Sequence, residues 1–599
     1  MQQRLSLYAW ALCSLFLLAT GLLYYPKWKM AQTEATISWD VSGYYFYLPA
    51  VFIYKDLKQV SFRETIHEKY HPASSPYQAF EHPSGHYVMK YSAGMAVQYL
   101  PFFLAAHVLA KPFGYEADGF SRPYQLAIGL GSLLVAMLGL WLLRNNLLVY
   151  FPDKAVAGVL LLLVFATNYL DYAAINGAMT HNYLFTLYAL LVWLTIRFYQ
   201  WPSWWKAAGI GLVLGLAALT RPTEVIAVLI PLLWGIPHMI ALRERLAFFR
   251  QHWRLLLLAA LACLAVGSIQ LIYWKYVSGD WIVYSYQDQG FSWLAPHVKD
   301  GLLSFRAGWL VYTPSMLFAL LGFFTLYRQH RPLFWPALAF SLVFMYITFA
   351  WDIWWYGGSL GQRAMVQAYA ILAFPLASLI QWLLRQKRWL QYGFVALSLL
   401  FSYYNLWWTH QAHRGGLFAS EQMTKPYFWR VLFRYDVPEE ALKLLDTKYI
   451  HEGQRHGVQL IYENGFEADS SATGCPLPPI SGQHSLCLGK EQQFSPVYDI
   501  PFQPEKRQWL RASATFRCQD KEWDTWRMTQ FIVRFKQDDE KVKEHLIRVY
   551  RFLDTGQSRE LYLDCKFPRK PFNHIEVAFW NADSDKPIAI DNLKIEVYE

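Results

Sequence analysis

The sequence predicts a polytopic, all-α membrane domain followed by an all-β sandwich of jelly-roll type, and three observations carry that prediction. The 599 residues are 55% hydrophobic and 18% aromatic but only 16% charged, where a soluble protein carries roughly 25% charged residues. Apolar runs of about 17 to 25 residues, each long enough to cross a hydrocarbon core as helix, recur from Leu5 to about His410 and then stop. From about residue 450 the pattern changes to short alternating segments rich in Val, Ile, Tyr and Phe. A mean hydropathy of +0.14 is too low for a chain embedded in lipid throughout, so a water-soluble portion is expected. The composition excludes disorder, collagen and a small disulfide scaffold. The formal charge of +10 needs no nucleic acid, because basic residues between apolar spans follow from the positive-inside bias alone.

Spans are read at about 5–25, 91–111, 124–143, 155–172, 181–197, 206–220, 222–240, 254–276, 307–327, 333–350, 364–384 and 389–410. The first follows Arg4 and lacks a small-residue cleavage site before Tyr24-Tyr25-Pro26, so it reads as a retained helix rather than a signal peptide. Arg243, Arg245, Arg250 and Arg254 mark one cytoplasmic loop, Arg328 and Arg331 a second, and Arg385, Lys387 and Arg388 a third. The segments 277–306 and 351–363, with everything after 410, then face the other side, which in a bacterium is the periplasm. With Arg4 also inside, the number of crossings must be odd. One short segment between 91 and 240 is therefore expected to be a half-crossing, giving eleven membrane helices, with thirteen as the alternative.

The domain plan is a membrane domain over 1–410, a linker over 411–449 and a periplasmic β-sandwich over 450–599. Strands are expected in VQLIYENGFE, HSLCLG, WLRASATFRC, QFIVRFKQ, HLIRVYRFL, ELYLDCKF, HIEVAFW and IAIDNLKIEVY. Cys475, Cys487, Cys518 and Cys565 fall in this part, while Cys13 and Cys263 lie in predicted membrane helices. An even set in an external domain fits an oxidising compartment. Cys475–Cys487 with Cys518–Cys565 is the expected pairing of the three possible, the alternative being buried free thiols.

The first external loop, about 26–90, is long for a connector, and long loops tend to be functional. It opens with Ser38-Trp39-Asp40-Val41-Ser42-Gly43-Tyr44-Tyr45-Phe46-Tyr47. An acid inside an aromatic run at a membrane interface is partly desolvated, which raises a carboxyl towards neutrality and suits a general base. Asp40 is the first catalytic candidate; the plain alternative is a helix-capping or loop aspartate.

Further motifs follow in order: Thr220-Arg221-Pro222-Thr223 after the Gly-rich GIGLVLGLAAL, Ser304-Phe305-Arg306-Ala307-Gly308-Trp309, and Trp354-Trp355-Tyr356-Gly357-Gly358 leading to Gly361-Gln362-Arg363. With the long first loop and its early Asp, this order resembles the GT-C glycosyltransferases, the superfamily of the protein O-mannosyltransferases and the lipid A aminoarabinose transferase. The resemblance covers about residues 1–410. It implies an inner-membrane enzyme that moves one monosaccharide from a polyprenyl-phosphate donor to a periplasmic lipid, glycan or protein acceptor, with inversion. Many members carry a second acid beside the first. Here Val41 stands after Asp40, which favours a lone base over a metal-bridging acidic pair.

The residue types suit that chemistry. A departing phosphate is an anion and needs no protonating acid, unlike the leaving oxygen in glycoside hydrolysis, so one carboxylate suffices. The phosphate needs fixed cations, and Arg221, Arg306 and Arg363 all fall at predicted external helix ends; singly, each reads equally as an arginine snorkelling to lipid headgroups. Tyr44, Tyr45, His181 and Asn182, with Tyr284, Gln287 and Asp288 in the 277–306 loop, are candidate contacts to sugar or acceptor. Trp281, Phe291 and Trp293 would cover apolar sugar faces, or form an interfacial belt. His67 and His71 would share a helix face, but Pro72 and Pro83 interrupt the pattern. No cofactor is therefore expected, and a divalent metal is kept only as an alternative. The last strand, Ile588 to Ile595, is similar to carbohydrate-binding jelly rolls, so the β domain is a candidate glycan binder, or else a spacer or docking module. The rival functions are a flippase for lipid-linked sugars, against which stands the lack of paired hydrophobic halves and mid-span acids, and a polyprenyl-diphosphate-dependent ligase or polymerase.

Overall fold

A computed structural model describes residues 4–436, 438–467, 476–504 and 508–599. Its contacts divide the chain into two units, Met1–Arg414 and Gly415–Glu599.

The first unit is helical. Its long helices are Arg4–Ala19, Gly94–Ala110, Arg122–Leu148, Asp153–Phe165, Thr180–Gln200, Trp204–Thr220, Met239–Gln251, Trp253–Ser278, Met316–Gln329, Arg331–Ala350, Tyr369–Leu383 and Arg388–His410. Among the described residues, four stretches are long and apolar enough to cross a membrane by length and composition: Arg4–Lys29, Arg122–Leu148, Trp253–Ser278 and Arg331–Ala350. In Trp253–Ser278 the most apolar window is only 6% buried, with Leu257, Leu261 and Leu264 exposed. Such a surface is stable against hydrocarbon and costly in water.

The predicted span 222–240 does not form as one helix. Pro222–Val228 is a 3₁₀ helix and only Leu229–Leu233 is α-helical, before Gly235 turns the chain at φ +80°. Those twelve helical residues rise about 22 Å, short of the ~30 Å hydrocarbon thickness.

The first external loop folds into a small layer of its own. It holds the short helices Trp39–Tyr45, Tyr47–Phe52 and Phe62–Tyr70 and a hairpin of β1 (Ala79–Glu81) and β2 (Tyr87–Met89). Its core is largely aromatic: Tyr45 packs on Phe103 and Phe120, and Tyr54 stacks on Phe62 at 4.2 Å. The helix Gly94–Ala110 then meets the end of Trp204–Thr220 so closely that a Cβ at Gly94 would lie 2.3 Å from the Thr220 nitrogen. Only glycine permits that approach, which helps bring Arg221 beside the loop layer.

The second unit is a sandwich of antiparallel sheets. Its strands are β3 (Gln459–Asn464), β4 (Leu486–Leu488), β5 (Tyr498–Pro501), β6 (Trp509–Cys518), β7 (Gln530–Gln537), β8 (Glu540–Arg548), β9 (Ser558–Lys566), β10 (His574–Trp580) and β11 (Ile588–Tyr598). One sheet runs β5-β10-β7-β8; the other runs β3-β11-β6-β9, with β4 also on β11. Phe516 of the second sheet meets Phe531 and Phe579 of the first at 5.7 and 5.8 Å, so the inner faces interdigitate. Each predicted segment contributes a strand, but β8 starts earlier than expected, at Glu540. Its Lys541, Lys543 and Glu544 hide the alternation because β8 is a sheet edge, where charged side chains guard against stray pairing.

The expected Cys518–Cys565 disulfide is overturned. Both are buried free thiols, on neighbouring strands but far apart along them: Cys565 sits opposite Leu510, and Cys518 lies eight residues further along β6, about 27 Å at 3.4 Å per residue. Cys487 is disulfide-bonded; Cys475 lies outside the described residues.

Candidate functional site

Asp40 sits in the first turn of the Trp39–Tyr45 helix. The entry to that helix is fixed by Trp39, whose backbone takes φ +47° and donates its N–H to Pro72 O at 2.7 Å. One turn on, a Cβ at Gly43 would fall 2.4 Å from the Tyr91 ring. Glycine there leaves room for the edge of the Tyr91 ring, whose hydroxyl reaches the carboxylate. Tyr91 donates to Asp40 Oδ1 at 2.7 Å, with Tyr77 more distant at 3.4 Å. Arg363 Nη2 donates to Oδ2 at 2.8 Å. The side chains of Asp40 and Arg363 keep 23% and 15% of their exposure, so the pair is shielded without being sealed.

Burial works to raise the Asp40 carboxyl, but the Arg363 charge, hydrogen bonds from Tyr91 and Arg363, and the Arg221 charge outweigh it and hold it below its ordinary value. This corrects the expectation of a carboxyl raised towards neutrality, because the desolvated position comes with its own cations. The same pairing raises Arg363 against the opposing effect of burial. Asp40 is an ionised, fully engaged carboxylate at neutral pH.

Arg221 caps the Trp204–Thr220 helix with extended backbone and lies 6.0 Å from the Tyr356 ring. Arg306 instead lies over the Trp355 ring, 3.6 Å from its centre; the cations acting on Asp40 are Arg363 and Arg221. Tyr44 is buried at 4.4 Å from Tyr91, between Arg221 and Asp40 in its electrostatic neighbours. Tyr45 faces away, donating to Gly119 O at 2.6 Å inside the aromatic core. His181 is buried against Gln367, Nδ1 to Oε1 at 2.8 Å. Asn182 spends its amide on Ser132 O and Gly177 O at 2.8 and 3.1 Å. Tyr284, Gln287 and Asp288 are exposed, and Tyr284 donates to Gln289 O.

The loop 277–306 reaches the site through Tyr286, two residues from the predicted Tyr284. Its ring meets Tyr91 at 6.1 Å and Trp351 at 5.4 Å. Sequence reasoning also passed over Tyr77, Tyr91, Glu224 and Gln367. Glu224 had a signal, an acid three residues after Arg221 in an otherwise apolar run; the others had none that separates them from neighbouring aromatic and amide residues. His67 and His71 stand with ring centroids 5.9 Å apart, and His71 ends its helix in the left-handed region. Among the described residues no group of three His, Cys, Asp or Glu is placed to hold a metal.

The arrangement defines a helical membrane protein with a carboxylate–arginine site on its loop layer. No family model matches the sequence, and no curated protein matches it. Among solved structures, the chain is similar to the oligosaccharyltransferase of Archaeoglobus fulgidus in the apo form, at 12% identity and a TM-score of 0.41 over 71% of this chain and 57% of that one. It is similar to arabinosyltransferase EmbB from Mycobacterium smegmatis at 12% identity and a TM-score of 0.36, over 98% and 64% of the two chains. A Family 16 Carbohydrate Binding Module-2 matches 23% of this chain with 99% of its own length, at 16% identity and a TM-score of 0.18. The chain thus spans little more than half the length of the archaeal enzyme, and at these scores the likenesses say what it resembles and no more.

Proposed function

We propose that the protein is an inner-membrane glycosyltransferase that transfers one monosaccharide from a polyprenyl-phosphate donor to a periplasmic lipid, glycan or protein acceptor. The observation that carries this reading is the Asp40–Arg363 pair, 2.8 Å apart, with Arg221 as a second cation and tyrosine hydroxyls around it. A donor phosphate competes with Asp40 for the planar fork of Arg363. As Arg363 turns to the phosphate, Asp40 Oδ2 loses its partner and its proton affinity rises. The freed oxygen accepts the proton of the acceptor hydroxyl while that hydroxyl oxygen attacks the anomeric carbon. The bond from the anomeric carbon to the phosphate oxygen breaks on the opposite face, and the electron pair leaves with the phosphate, giving inversion without an acid catalyst. No metal enters these steps. The β unit is proposed to lie in the periplasm and to bind acceptor glycan.

Mass spectrometry of envelope glycans and lipids in a deletion strain tests the reading. One sugar is expected to be missing and its lipid-linked donor to accumulate on the periplasmic face. Accumulation confined to the cytoplasmic face would point to a flippase, and an unchanged profile would refute the transferase.

A further inference from the structure

The Thr180–Gln200 helix opens on a fully buried His181 that belongs to a hydrogen-bonded chain of four buried side chains. Tyr188 donates to Glu224 Oε2, Gln367 Nε2 donates to Glu224 Oε1 at 2.9 Å, and Gln367 Oε1 faces His181 Nδ1 at 2.8 Å. The donor inventory fixes the direction of this chain. A carboxylate only accepts, so it draws the NH₂ end of Gln367, and the amide oxygen is left for the ring. That oxygen also only accepts, so Nδ1 carries the proton. The neutral ring then presents Nε2 as a bare lone pair. Nε2 is buried and has no hydrogen-bond partner among the described residues, an arrangement that asks for a missing donor.

His181 is held against the stretch that carries Arg363. Its ring meets Tyr172 edge-on at 5.5 Å, and the Tyr172 hydroxyl accepts from Leu360 N at 3.1 Å. Arg363, which binds Asp40 through Nη2, also has a buried Nε without a partner among the described residues. Arg221 and Arg363 both act electrostatically on the imidazole. A phosphate brings only acceptors and cannot satisfy a bare nitrogen, whereas a sugar brings hydroxyl donors.

We propose that His181 Nε2 receives a hydroxyl of the transferred sugar, and that Gln367 and Glu224 are positioning residues that fix its tautomer. The proposal rests on the transferase reading and divides the donor between two sets of groups: arginines take the phosphate and His181 takes the sugar.

Two measurements test it. In full-length, ¹⁵N-histidine-labelled protein in nanodiscs, with His181 assigned by loss of its signals in His181→Gln, Nδ1 is expected to be protonated and Nε2 bare. Gln367→Met is expected to release the ring into a mixture of tautomers. A protonated Nε2 in the wild type, or an unmoved tautomer in Gln367→Met, overturns the relay. In the deletion strain, His181→Leu is expected to lower the sugar product about 10- to 100-fold at equal membrane abundance, with His181→Gln, whose amide oxygen still accepts, retaining most of it. If Asp40→Asn abolishes the product while His181→Leu does not reduce it, the His181 proposal alone falls. If Asp40→Asn leaves the product intact, the transferase reading falls, and the ¹⁵N spectrum still decides the relay.

Discussion

Asp446 in the C-terminal unit and Asp40 in the helical unit are both held by arginine, and the two sites differ in what is left over. Asp446 has a fully buried side chain and accepts from Arg548 Nη1 at 2.5 Å, Arg551 Nη1 at 2.6 Å and the Arg548 backbone N–H at 2.9 Å. Two further donors are used as well: Arg548 Nε reaches Thr525 O at 2.9 Å, and Arg551 Nη2 reaches Gln422. Asp40 keeps part of its exposure, and around it Arg363 Nε and His181 Nε2 are buried without partners among the described residues. The same residue types thus make architecture where the carboxylate is fully buried between two arginines, and a candidate binding site where it stays partly exposed near buried nitrogens without partners.

Substituting the two acids tests that contrast most strongly. Asp40→Asn is expected to lower transfer by about 10²–10⁴-fold, because the amide keeps the shape but cannot take the proton. The protein should still insert and fold, as read by detergent-solubilised size-exclusion profile. Asp446→Asn should do the reverse. It strands two arginines beside a buried amide and is expected to cost the C-terminal unit about 3–5 kcal/mol, measured by denaturant unfolding followed by tryptophan fluorescence. Transfer per folded molecule should be unchanged. If Asp446→Asn lowers transfer as strongly as Asp40→Asn, the division between architecture and site fails.

A smaller effect separates the units by pH. Burial pushes the His545 imidazole on β8 down to about 4, below the 6.5 of an unfolded histidine. Between those values the unfolded chain binds a proton that the folded chain refuses, so stability is complete above about pH 6.5 and falls as pH drops towards 4. The full loss is about 3 kcal/mol. Asp40 runs the other way along the scale: its lowered carboxyl keeps its stabilising pairing down to about pH 4 and loses it only below. Unfolding of the C-terminal unit between pH 7 and 4.5 should therefore show a slope that His545→Gln flattens. An unchanged slope would mean that His545 is not the titrating group.

The smallest expected effect is chemical. Alkylation in denaturant without reductant should label Cys518 and Cys565 at once, and mass mapping would read it. Protection of both would restore the bridge that their register argues against.

How much was legible beforehand divides by the range of the interaction. Helices and strands are written in local periodicity, so eleven of the twelve predicted spans hold a long helix and each predicted β segment holds a strand. The failure at 222–240 is local too, written in Pro222, Pro231, Gly235 and Pro237. β5 escaped because four residues, Tyr498–Pro501, are too few for an alternation to register. Asp40, Arg221 and Arg363 were visible as charges where charges are costly. That Arg363 would grip Asp40 across 323 residues, and so lower a carboxyl expected to rise, was not visible. Nor was the choice of Tyr286 over Tyr284, which depends on which side of an irregular loop turns inward. The Gln367 link between Glu224 and His181 joins three segments and has no sequence signature at all.

The central claim is that Arg363 exchanges Asp40 for a donor phosphate. Binding of undecaprenyl phosphate to the purified full-length protein, followed by native mass spectrometry, tests it directly. Asp40→Asn removes the competitor for Arg363 and is expected to bind the lipid phosphate more tightly than wild type, while losing transfer; Arg363→Ala should bind it more weakly, with Arg363→Lys between. Equal binding by all four proteins, or weaker binding in Asp40→Asn, would contradict the exchange.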